Sequence, residues 1–199
     1  MAKIALLSGS LRRESANSAV LSTVQRLVTS RTGGHEVIRL RLRTFPLFNE
    51  DLARVGGTAA LRSLLARFST ADALIVSSPA YNGYPPGVLK NALDWLSVGG
   101  ADSPLSGLPA AVVSASPGPA GGANVLPHLR RILANSGASV IEHTDVAIGD
   151  AVRLRTPEGL IAAPDVVDRL DRLVDTVLAA VSRANRREQA PVPALARTP

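Results

Sequence analysis

Three short stretches of the chain combine hydroxyls, an arginine and closely set glycines. Together those groups can hold a phosphate and a planar ring. The first, GSLRRESAN at 9–17, offers Ser10, Arg12, Ser15 and Asn17 directly before a helical run. Hydroxyls, a guanidinium and the unpaired amides of a helix start suit an anion such as phosphate. A blander reading stands beside this one, in which Ser15 or Asn17 only caps the helix and Arg12 and Arg13 are solvated. The spacing is neither GxGxxG nor the Walker pattern GxxxxGK, so neither of those two phosphate devices is present. The second stretch, PAYNGYPPG at 79–87, is stiffened by Pro79, Pro85 and Pro86, while Asn82, Gly83 and Gly87 permit unusual backbone angles. Such a loop presents backbone amides in a fixed array beside an aromatic wall, Tyr81 or Tyr84, which suits a planar heterocycle. The third, SASPGPAGG at 114–122, adds Ser116, Gly118, Gly121 and Gly122 as a second loop of close approach. Either of the last two could instead be an ordinary connector.

The elements that must position these loops alternate between strand and helix. KIALLS (3–8), ADALIVS (71–77) and AAVVSA (110–115) are apolar throughout, whereas HEVIRLRL (35–42) alternates and belongs at a periphery. ASVIEHTDV (138–146) is expected as a fifth strand. Helical spacing predicts helices over 17–30, 58–69, 86–96 and 122–135 and one starting at Pro164, with RTFPLFNEDLARVGG as a loop before the second of them. Strands buried on both faces and separated by helices define a doubly wound α/β domain with a five-stranded parallel sheet and helices on both faces. Ligands of such sheets bind beyond the carboxyl ends of the strands, and all three stretches fall there. The domain is expected over 1–183. The Pro-, Ala- and Arg-rich tail over 184–199 has no periodicity and is expected to be a loose extension.

Composition narrows the chemistry further. There is no Cys, and the histidines at 35, 128 and 143 lack the spacing of metal ligands, so thiolate catalysis is excluded and no metal site is expected. The formal charge is +6, with Lys only at 3 and 90. Aromatics make up 3% and the arginines are dispersed, which argues against a nucleic-acid partner. The opening MAKIALLSGS has too short an apolar run for a membrane span or signal core, so a cytoplasmic protein without a membrane partner is expected.

These residues resemble the NADPH-dependent FMN reductases of flavodoxin-like fold, a family that includes chromate, quinone and azo-dye reductases. The likeness lies in GSLRRESAN at 9–17, PAYNGYPPGVLKNALDW at 79–95 and SASPGPAGG at 114–122, in the family's order, and FNEDL at 48–52 also resembles it. The resemblance implies strand order 2-1-3-4-5 and bound FMN, with NADPH or NADH as electron donor. It implies Ser10, Arg12, Ser15 and Asn17 at the FMN phosphate, and Pro79, Ala80, Tyr81, Asn82 and Gly83 along the isoalloxazine. Ser116 and Gly118 would close the other side of the ring. It also implies a homodimer or homotetramer and a small acceptor: a flavin, quinone, azo compound or metal oxyanion, reduced by a ping-pong mechanism. The flavin carries such chemistry, so no catalytic side chain is required. Lys90 and Asp94 are expected as a solvated or interface pair.

Departures from the family pattern bear on the pocket. Members often carry Glu at the position of Ala80, a small polar residue at that of Tyr84 and Lys at that of Leu108. Two alternatives share the fold: an FMN electron carrier working with protein partners, and a non-catalytic scaffold that has lost the flavin. Carriers tend to be acidic, and the basic charge of this chain favours the reductase.

Overall fold

The apolar runs of the sequence become the middle of one parallel sheet. In the computed structural model, which describes residues 1–142 and 145–189, β1 (Lys3–Ser8), β3 (Ala73–Ser78) and β4 (Pro109–Ala115) lie side by side with β2 (Glu36–Leu40) at the edge. The order is β2-β1-β3-β4-β5, as the resemblance implies. Alternate residues of each strand enter different cores. Ile4, Leu6, Ile75 and Val113 pack under α1 (Ala16–Ser30) and α6 (Pro164–Gln189). Ala5, Leu7, Leu74, Val76 and Val112 pack under α3 (Ala59–Phe68), α4 (Gly87–Leu96) and α5 (Val125–Asn135). Burial on both faces is why these strands read as continuous apolar runs. The alternating β2 pairs only with β1, in keeping with its peripheral pattern.

Three expectations need correction. The fifth strand is divided into β5 (Ser139–Val140) and β6 (Val146–Ile148), which pair in parallel with the two ends of β4. From Val140 to Val146 the chain advances six positions while the matching residues of β4, Ala110 to Val113, advance three. Glu142 and Asp145 fall between the two pairings, and charge has no place in a sheet interior. The segment before α3 is more than a loop. It holds a 3₁₀ turn, Leu42–Thr44, and a short helix, α2 (Glu50–Arg54), capped by Asn49 Oδ1 accepting from the Asp51 N–H at 2.8 Å. The last helix also continues past 183 to Gln189, because Ala184, Arg186, Arg187, Glu188 and Gln189 are good helix formers even beyond the apolar stripe. His143 and the tail beyond 189 lie outside the described residues.

The strands that carry the site have serine at or next to their last residue: Ser8, Ser77 with Ser78, and Ser114. Polar groups thus line the carboxyl edge directly above an apolar interior, and the three loops leave from this edge.

Candidate functional site

The loop after β1 is held down before α1 begins. The Gly9 N–H donates to Ser77 O at 2.7 Å, and a Cβ on Gly9 would lie 3.2 Å from Ser78 Cα, a tight fit against β3. Ser10 Oγ accepts from the Arg12 N–H at 3.3 Å, curling the loop, and the Arg12 side chain extends into solvent. Ser15 is buried and caps α1, its Oγ accepting from the Ser18 N–H at 3.3 Å. The blander alternative therefore describes the Ser15 side chain. The N–H groups of Ala16 and Asn17 donate to nothing among the described residues, leaving two amides at the helix start for an anion.

Asn17 has a structural task. Its Nδ2 donates to Ala115 O at 2.9 Å, while Oδ1 accepts from Ser77 Oγ at 2.9 Å and from the Ala115 N–H at 3.2 Å. The buried amide thereby ties the start of α1 to the ends of both β3 and β4. What Asn17 offers a phosphate is its backbone N–H.

Loop two closes as a hairpin. Tyr81 and Tyr84 exchange backbone hydrogen bonds of 2.9 and 3.1 Å, with Asn82 at φ 51° and Gly83 at φ 87°. Two consecutive positive φ values make this a type I′ turn, for which Asn-Gly is the favoured pair. Pro79 is buried and its carbonyl accepts from Ser78 Oγ at 2.9 Å, so it anchors the loop without presenting a surface. Tyr81 is half exposed; Tyr84 lies against His128 of α5, ring centroids 4.5 Å apart.

Loops two and three approach each other at Ala80 and Gly122, and loop two approaches the start of α5 at Asn124. A Cβ on Gly122 would meet Ala80 N at 3.5 Å and Ala80 Cβ at 3.6 Å, and one on Gly83 would meet Asn124 Nδ2 at 3.6 Å. Ala80, half-buried, therefore faces loop three at Gly122. Ser116 Oγ donates to Gly118 O at 3.2 Å, while the Asp150 and Ala151 N–H groups donate to Gly118 O and Ser116 O at 3.3 and 3.1 Å. The expected close approach at Gly121 is directed inward. Its Cβ would lie 2.5 Å from Ile148 N, and one on Gly149 would lie 2.2 Å from Pro119 O, so loop three is pressed onto the end of β6. At Gly118 the nearest atom to such a Cβ is Ser116 Oγ, 3.9 Å away, and that side is open.

Sequence reading missed the backing of this site. His128 of α5 backs loop two at Tyr84, and the segment after β6 braces loop three. That segment also carries Arg155, whose Nη1 stands 4.0 Å from Glu14 Oε2 in loop one. Nothing local in the sequence signals these pairings, although the glycines at 121 and 149 mark tight backbone contacts. Lys90 and Asp94 form an ion pair along α4. Trp95 of the same helix is buried and donates to Pro46 O at 2.9 Å, docking the segment before α2.

A 2-1-3-4-5 parallel sheet with its ligand-side loops gathered on the carboxyl edge is the flavodoxin-like fold. A flavodoxin from Pseudomonas aeruginosa superimposes with a TM-score of 0.55 at 20% identity, covering 88% of this chain and 99% of its own, which supports the fold alone. The family model for NADPH-dependent FMN reductase matches residues 2–153, and the chain belongs to that family. It is accordingly an oxidoreductase with FMN and NAD(P)H as cofactors. It is 37% identical over 149 residues to an NAD(P)H-dependent FMN reductase of Pseudomonas aeruginosa, covering 75% of this chain and 78% of that one. A quinone reductase of Escherichia coli is 36% identical over 141 residues, 70% of this chain and 73% of its own. FerB, a flavoenzyme NAD(P)H:(acceptor) oxidoreductase from Paracoccus denitrificans, superimposes with a TM-score of 0.81 at 26% identity, covering 92% of this chain and 98% of that structure. No described helix is long and apolar enough to cross a membrane.

Proposed function

We propose that this chain binds FMN across its three loops and passes electrons from NAD(P)H to a small acceptor, a quinone or a free flavin, by a ping-pong mechanism. Bound FMN supplies the redox chemistry. The protein supplies position: Arg12, Ser10 and the amides of Ala16 and Asn17 hold the phosphate, and the Tyr81–Tyr84 hairpin and the Ser116–Gly118 segment flank the ring. The observation that carries the reading is the close approach of loops two and three at Ala80 and Gly122, which brings the two loops that would flank the ring together on the sheet edge. Residue types at the site fit the cofactor, because unpaired amides and a guanidinium meet the phosphate while Gly118 keeps free the space a ring needs. Side chains of Leu47, Phe48 and Val88 remain exposed on α4 and the segment docked to it. That apolar surface supports a homodimer or homotetramer, which sedimentation velocity would test.

Steady-state kinetics tests the mechanism. Double-reciprocal plots at several quinone concentrations should be parallel, with each substrate inhibiting competitively against the other at high concentration. Gly83→Val, forcing a β-branched residue to φ 87°, should slow both half-reactions together. Intersecting plots, or loss of the NAD(P)H half-reaction alone, would indicate separate sites.

A further inference from the structure

A second recess, about 540 Å³ in volume, opens on the β2 side of loop one. Residues 39–44 line it on one side, and Ser8, Ser10, Leu11 and Ser18 on the other. It shares Ser10 and Leu11 with the phosphate loop and includes no residue of loops two or three. Arg39, Arg41 and Arg43 all face it. Arg39 lies at the end of extended chain and is held by neutral groups of α1, its Nε donating to Gln25 Oε1 at 2.9 Å and Nη2 to Ser22 Oγ at 3.0 Å. Arg43, in the turn that follows, comes back to the recess by donating from Nη2 to Leu11 O at 3.3 Å.

This grouping lacks a counter-charge. Among the described residues no carboxylate reaches Arg39, Arg41 or Arg43, whereas Arg31, Arg54, Lys90 and Arg130 are each paired with aspartate. Burial pushes the Arg39 pKa below the ordinary guanidinium value, yet the group stays charged. A partly desolvated cation held only by neutral acceptors gains most from an anion with several strong acceptor oxygens. Ser18 and Thr44 add hydroxyls, and Leu11, exposed although apolar, offers a surface for a base.

We propose that this recess binds a phosphomonoester-bearing nucleotide, namely the 2′-phosphoadenosine end of NADPH, and that the chain therefore prefers NADPH to NADH. The assignment rests on the reductase reading above. The 2′-phosphate is the one group that distinguishes the two donors, and three unpaired guanidiniums respond to that group. The recess falls within the range of roughly 300–1,000 Å³ usual for small-molecule sites.

Calorimetric titration of the FMN-loaded full chain tests the recess without turnover. Adenosine 2′,5′-bisphosphate should bind at least about tenfold more tightly than adenosine 5′-monophosphate or inorganic phosphate, and Arg41→Ala should remove about that factor. Equal binding of the two nucleotides, equal binding of inorganic phosphate, or indifference to Arg41→Ala would overturn the proposal. In turnover, the same substitution should lower the ratio of kcat/KM for NADPH to that for NADH about tenfold; an unchanged ratio counts equally against it. Failure of both donors to reduce the flavin would sink the reductase reading instead, and the titration would still decide whether the recess takes the bisphosphate.

Discussion

Arg12 extends from a loop whose backbone is already fixed at Gly9 and Ser10, so its side chain can be removed without disturbing the fold. Arg12→Ala should weaken FMN binding by about 1.5–3 kcal/mol, the range for a charge-assisted hydrogen bond. Riboflavin, which lacks the phosphate, should lose little affinity in the same variant, and equal losses measured by fluorescence titration would assign Arg12 elsewhere. Tyr84 acts differently, because its exposed ring rests against His128 and adds bulk beside the hairpin. Tyr84→Ser should raise kcat/KM for a bulky quinone or azo dye more than for a small acceptor. A uniform change across acceptor sizes would assign Tyr84 to folding or flavin affinity.

The loops as elements divide their glycines between two tasks, and substitution separates them. Gly121→Ala places a Cβ 2.5 Å from Ile148 N at φ 61°, so it should destabilise the protein by more than about 2 kcal/mol in urea denaturation. Gly118→Ala meets nothing closer than 3.9 Å, so it should change stability by less than about 0.5 kcal/mol while lowering FMN affinity. The sequence showed where both glycines lie and that the loop was special. It could not show which one faces the ligand, because Ile148 is 27 positions from Gly121 (148 − 121) and their contact is made by packing. The same limit explains the rest. The central strands and helices were legible because burial imposes a local period, and Asn82-Gly83 because a type I′ turn requires local residue types. Asn17 looked like a phosphate ligand because its partners, Ser77 and Ala115, belong to distant strands. The division of the fifth strand depends on register against β4, which no single run displays.

Across the whole molecule, the carboxyl edge is assembled by contacts between residues far apart in sequence, with Asn17 reaching 60 and 98 positions along the chain. Loop one is fixed to β3, loop two closes on itself as a hairpin, and loop three is pressed onto the end of β6, all by protein groups. The ends of the loops are therefore ordered by the fold before any cofactor arrives. Association should then be a simple encounter, with no slow opening or closing step before capture. When apoprotein is mixed with FMN in a stopped-flow experiment, the observed rate constant should rise linearly with FMN concentration. A plateau would reveal a gating step. Asn17→Ala, which unfastens α1 from the sheet edge, should introduce such a plateau, so that a side chain with no part in holding the cofactor would set how quickly the cofactor is acquired.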